Sequence, residues 1–176
     1  MLETLTALLL PWSERYAESA YLPTVILSVH VLALFAGGGI AIAADRRVLL
    51  ATPGTREAYQ AAAEDLRTTH AIVIGALVLI VMSGFALATS DVGTFAVSKV
   101  FWAKMATFTV LIANGAFMRR TEARVLTASA DAGVVIDTTT PWPSPHRPWA
   151  VLKRSAGISL VSWFTVVLLG VVLSNI

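Results

Sequence analysis

Four long apolar runs separated by clusters of charge are the strongest pattern in this chain. They cover residues 22–44, 69–89, 100–118 and 156–175. Each has roughly the 20 residues that a helix needs to cross ~30 Å of hydrocarbon. Backbone polar groups in lipid must be satisfied within their own segment, so a helix is the expected form of each run. Pro23 falls in the first turn of the first run, where a missing N–H costs nothing. The pattern predicts an all-α fold, a four-helix transmembrane bundle making one integral membrane domain over residues 1–176, with short connections at its outer end.

Two segments fall outside that pattern. Near the N-terminus Leu2, Leu5, Leu9, Trp12 and Tyr16 recur at helical spacing. They predict an interfacial helix, with the two aromatics at headgroup depth. Glu3 stands where a signal peptide carries basic residues, and no small-residue cleavage site follows, so this helix is expected to be retained. The other segment, 127–149, reads "TASADAGVVIDTTTPWPSPHRPW", with prolines at 141, 143, 145 and 148. It is expected to be irregular. Two readings stand: a plain connector, or a docking segment that offers Trp142 and Trp149 to a protein partner, since ordered loops this long usually have a function.

Composition agrees with lipid as the solvent. The chain is 56% hydrophobic and 14% charged, against roughly 25% charged in soluble domains, and its mean hydropathy is +0.74. It has no cysteine, which excludes disulfides, thiolate metal sites and cysteine nucleophiles. A net charge of +2 gives no reason to expect nucleic acid. The Gly37–Gly39 triplet lies inside an apolar run and lacks the strand–turn–helix setting of a phosphate loop.

The placement of charge is more informative than its sum. Arg46, Arg47, Arg56 and Arg67 fall between the first and second runs, and Arg119, Arg120, Arg124, Arg147, Lys153 and Arg154 between the third and fourth. These are ten of the thirteen Lys and Arg. The positive-inside rule puts them in the cytoplasm and both termini outside. The first and third runs also close on similar arginine-rich stretches, "AADRRVLLA" and "FMRRTEARVL". That likeness reads either as a duplicated helix pair or as the ordinary need for cytoplasmic arginines.

Polar residues inside the runs are the candidate chemistry, because they are costly in lipid and normally face the bundle interior. His30 lies 16 residues before Arg46, and Lys104 lies 15 before Arg119. At 1.5 Å per residue both sit roughly 22–24 Å from the arginine end, at one depth. His70 is three residues from Arg67, at the cytoplasmic face. Roughly 20 Å along the membrane normal therefore separates His30 from His70, too far for both to ligate one haem. Helical stepping from His30 gives Ala33, Gly37, Ala41 and Ala44, a small-residue stripe of the kind along which membrane helices pack. Lys104, Thr107, Leu111 and Asn114 share a face, as do Ser155, Ser159 and Ser162 with Trp163 alongside.

The expected site is thus His30, Lys104 and Thr107, with Asn114 and the serines deeper. In its sharp form His30 is a haem axial ligand or a partner for a quinone carbonyl. In its plain form His30 serves packing, Lys104 snorkels to headgroups, His70 is an ordinary interfacial histidine and Asn114 joins two helices. A transporter of ions or small solutes is a third class of function, but no Asp or Glu falls within the four runs, which argues against a carboxylate proton relay.

The stretches "VHVLALFAGGGIAIAADRRVLL", "FWAKMATFTVLIANGAFMRR" and "SAGISLVSWFTVVLLG" resemble the first, third and fourth helices of a family of small bacterial four-helix membrane proteins of unknown function. The matching positions are His30, Gly39, Asp45, Arg47, Lys104, Asn114, Ser159, Trp163 and Gly170. The likeness covers most of the chain except the proline-rich segment. That family carries an Arg after its last Gly, where Val171 stands here. The resemblance implies a multi-pass protein of the bacterial cytoplasmic (inner) membrane. In layout alone, the first-helix His and third-helix Lys also resemble HemJ-type protoporphyrinogen oxidase and CopD-type copper membrane domains. That likeness implies a porphyrin, such as haem b, or a metal at His30.

Two classes of function follow. One is an accessory or binding protein that works with a larger membrane complex or with a second copy of itself. The other is a haem- or quinone-binding redox protein with His30 as ligand. Catalysis is left open by the sequence.

Overall fold

The computed structural model describes residues 2–51, 56–131 and 146–175. Among them every regular element is a helix: α1 (Leu2–Glu18), α2 (Leu22–Leu50), α3 (Arg56–Ser90), α4 (Val92–Val97), α5 (Lys99–Asp131) and α6 (His146–Leu173). Four of these, α2, α3, α5 and α6, contain stretches long and apolar enough to cross a membrane. Their outward faces carry bare apolar side chains such as Leu32, Phe35, Met82, Phe85, Phe164 and Leu168. Water would penalise that surface, whereas lipid does not.

The bundle is four-cornered. α2 packs against α3 and α6, and α5 against the same two, so α2 and α5 stand on one diagonal and α3 and α6 on the other. One end gathers the arginines; α4 joins α3 to α5 at the other. At the α4 end, α1 leans on α3: the Trp12 indole donates to the Ala86 carbonyl at 3.3 Å, and the Ser13 hydroxyl to that of Ser90 at 2.7 Å. Leu9, Trp12 and Tyr16 line the half-buried side of α1, as their spacing predicts. The Ser19 hydroxyl accepts from the Leu22 amide at 3.1 Å where α2 begins. Asp91 accepts from the Thr94 amide at 3.1 Å and starts α4.

The small-residue stripe faces inward. His30, Ala33, Gly37, Ala41 and Ala44 are all buried. A Cβ on Gly37 would lie 2.5 Å from the Ala76 Cβ, so the α2 and α3 backbones meet there only because Gly37 has none. Ala33, Ala41, Ile80, Leu111 and Trp163 form a dry layer halfway along the bundle. Ala44, Val48, Leu66, Met118, Trp149, Leu152 and Ala156 form a second, nearer the arginines.

The helices outrun the expected spans at the arginine-rich end. α2 continues six residues past Ala44 to Leu50, and α5 thirteen past Met118 to Asp131. The irregular segment is correspondingly shorter than 127–149. Residues 127–131 complete α5, where the Thr127 hydroxyl bonds back to Ala123 at 2.9 Å. α6 begins at His146 and takes Pro148 into its first turn. Amides in a first helical turn have no intrahelical partner, so a proline there breaks nothing.

Candidate functional site

Polar side chains gather at two levels, on either side of the dry layer. The first is in the α4-end half. His30 Nδ1 lies 2.9 Å from the Ser83 hydroxyl of α3, and that hydroxyl lies 2.5 Å from the Leu79 carbonyl. The serine hydrogen is directed to Leu79, and the tautomer that fits this arrangement is the one in which the imidazole supplies the proton shared with Ser83. His30 Nδ1–H donates to Ser83, and in the neutral ring Nε2 is left with its lone pair. Gly84 makes room for the ring: a Cβ there would lie 3.2 Å from His30 Cε1.

Lys104 reaches the same region from α5 and is half-buried. Its Nζ rests against Gly170 of α6, 3.3 Å from where a Cβ would stand, and its charge is felt at His30. The last turn of α6, with its partly negative carbonyl end, suits a cation there. Among the described residues no carboxylate pairs with Lys104. The structure places Ser83 of α3 directly on His30, whereas Lys104 is seated against Gly170 of α6. Thr107 is not drawn in: its hydroxyl donates to the Ala103 carbonyl of its own helix at 2.9 Å. Asn114 joins helices instead. Its Nδ2 donates to the Ser155 carbonyl at 2.9 Å, and the Ser155 hydroxyl returns a bond to Asn114 Oδ1 at 2.8 Å.

The second level lies at the arginine-rich end and overturns an expectation. The four runs hold no carboxylate, which argues against a carboxylate relay, yet Asp45 and Glu122 beyond their ends are each only 3% exposed. Both stand just beyond an apolar run, and the continuing helices carry them inward. Ser159 of α6 faces the Asp45 carboxyl, and Asp45 Oδ2 ends buried without a hydrogen-bond partner. His70 is more than an ordinary interfacial residue, since its Nδ1 lies 3.0 Å from Glu122 Oε2. Its charge also reaches Asp45. Arg47 pairs with Asp65, and Arg67 with Glu64, on the exposed rim.

The expected partner contacts fare differently. Trp149 is not available to another chain: it is 6% exposed, packed in the bundle's own core. Helix α6 starts early enough to carry it inward. Trp142 lies outside the described residues.

Sequence reasoning missed Ser83, Asp45 and Glu122 and set His70 aside. A serine in an apolar helix usually bonds back to its own turn, and Ser83 does this while also accepting from His30. Asp45 had one signal, its place in the family resemblance. Compared with known protein families, characterised proteins and solved structures, the chain finds no match.

Proposed function

We propose that this chain is an integral membrane binding protein that holds an apolar small molecule of the quinone or porphyrin class in the α4-end half of its bundle. The observation that carries this reading is the state of His30. With its Nδ1 proton committed to Ser83, Nε2 remains as an acceptor or metal-ligating nitrogen. In the same half of the bundle stands a half-buried ammonium without a carboxylate among the described residues. Such a cation inside a bundle is stabilised by a carbonyl or carboxylate oxygen.

A quinone uses both groups. Lys104 Nζ donates to a carbonyl, and His30 Nε2 accepts from the hydroxyl of the reduced form. A porphyrin fits more narrowly, with His30 as its one axial nitrogen and Lys104 on a propionate. Haem b, when bound, would supply one-electron chemistry; His30 would fix its iron and Ser83 would hold the imidazole in orientation. On the positive-inside rule the ten grouped cations belong in the cytoplasm of a bacterium, so this site belongs to the outer half of the membrane. An accessory role clamped through the two tryptophans loses Trp149 to the core, which favours the binding reading.

The test is purification in mild detergent, followed by an absorption spectrum and chromatography of the extracted lipid. A Soret band or a retained quinone is expected in the wild type, and its loss from His30→Leu and Lys104→Met. If no chromophore co-purifies, and a short-chain quinone leaves tryptophan fluorescence unchanged, the proposal fails.

A further inference from the structure

The cluster at the arginine-rich end has a makeup unlike the first. It holds two buried carboxylates from different helices, Asp45 of α2 and Glu122 of α5, with an imidazole from α3 acting on both. About 22 Å of helix separates His30 from Asp45 (15 residues). The layer of Trp163, Leu111 and Ile80 lies between the two levels. The second cluster therefore stands whether or not a ligand binds the first.

Its charges do not balance within the protein. A buried carboxylate oxygen without a donor is costly, and Asp45 Oδ2 is one. The nearby groups can be taken helix by helix. On α2 itself, Arg46 and Arg47 are exposed, and Arg47 is paired with Asp65. From α3 comes His70, which faces Glu122, while Arg67 is exposed, paired with Glu64 and acts on Glu122. From α5 comes Glu122, held by His70. From α6 comes the neutral Ser159, with Arg154 exposed and Lys153 half-buried. One imidazolium offsets one of the two carboxylates. The described side chains form no set of three donors able to hold a metal ion. A proton is the counter-charge that fits.

We infer that Asp45, His70 and Glu122 form a proton-binding site at the arginine-rich end, with His70 as its link to solvent. The His70 side chain is 15% exposed and that of Glu122 4%. An imidazole accepts a proton on one nitrogen and gives up the one on the other. His70 takes a proton from solvent on Nε2 and, as the imidazolium, passes the one on Nδ1 to Glu122 Oε2, 3.0 Å away, which leaves a neutral ring protonated on Nε2. Asp45, buried on α2, holds the proton that its unpartnered oxygen lacks. All four long helices supply a group, so occupancy of the site is tied to how their ends pack.

The test is infrared difference spectroscopy of the whole chain in lipid nanodiscs, titrated between about pH 5 and pH 8. A protonated-carboxyl C=O band is expected at pH values where exposed carboxylates are ionised. Asp45→Asn should abolish it and Glu122→Gln should shift it. Carbon-13 labelling of aspartate should shift the band without any substitution, which keeps the test decisive even if the variants misfold. Absence of the band, or a band unmoved by the label, would overturn the inference.

Discussion

Gly38 of α2 lies directly beneath the indole of Trp163 of α6, so close that a Cβ on Gly38 would stand 3.1 Å from Cε3 of the ring. This contact seats the bundle's largest fully buried side chain, and with it the dry layer that keeps the two polar clusters apart. Trp163 fits because the opposing helix presents backbone alone.

Three adjacent glycines should therefore respond very differently to substitution. Gly37→Ala places its methyl 2.5 Å from the Ala76 Cβ, which is fixed to the backbone, so α2 and α3 must separate. Overpacking of this kind costs roughly 1–3 kcal/mol. Gly38→Ala meets the edge of an indole at 3.1 Å, which can tilt, and should cost less. Gly39→Ala meets nothing within 4 Å and should lie within about 0.5 kcal/mol of wild type. Unfolding in detergent ranks the three, and Ala76→Gly should restore most of what Gly37→Ala loses.

The His30–Ser83 bond predicts a second effect. Ser83→Ala removes the acceptor from a buried imidazole N–H, for a loss of about 0.6–2 kcal/mol, as for other interhelical bonds in membranes. It also frees the imidazole to turn or change tautomer, so ligand retention should fall together with stability. Equal stability in Ser83→Ala and wild type would remove the basis for assigning the His30 tautomer.

How far the sequence reached can be judged on these same residues. His30, Ala33, Gly37, Ala41 and Ala44 were legible as a buried stripe because helical periodicity and side-chain size point the same way there. Ser155, Ser159 and Ser162 were legible for the same reason, and all are buried. The second cluster was not. Marking a span's end at the first charge assumes that charge leaves the bundle, whereas α2 and α5 run on and turn Asp45 and Glu122 inward. Nor does Ser83 declare itself, since its link to His30 depends on the register between α2 and α3.

The Asn114–Ser155 pair tests whether the α5–α6 contact is specific. Each residue both gives and receives a bond, and of the two the one from the Asn114 amide ends on the Ser155 backbone carbonyl, which survives any side-chain change. Asn114→Ala should therefore cost more than Ser155→Ala. The double variant should cost less than the sum, by about 0.5–1.5 kcal/mol of coupling. Strict additivity in unfolding measurements would mean that the two bonds are not made together in the membrane.

Orientation is the last expectation, and it fixes which compartment each cluster faces. The ten cations between the apolar runs all fall at one end of the four long helices. Lys99 and Lys104 stand at the opposite end on α5, and Arg15 is on α1, which Trp12 and Ser13 fasten to that same end of α3. The ten-to-three imbalance predicts that the arginine-rich end is cytoplasmic and that both termini are external. Alkaline phosphatase fused after Ile176 should be active, and a fluorescent protein fused there should be dark. The pairing of Arg47 with Asp65 and Arg67 with Glu64 leaves this prediction intact, because acidic residues contribute little to the rule. Replacing Arg119, Arg120 and Arg124 with Gln should weaken the bias and yield a mixed population. If the fluorescent fusion is bright in the wild type, the orientation is reversed: the level of His30 and Lys104 then belongs to the inner half of the membrane, and His70 takes its protons from outside.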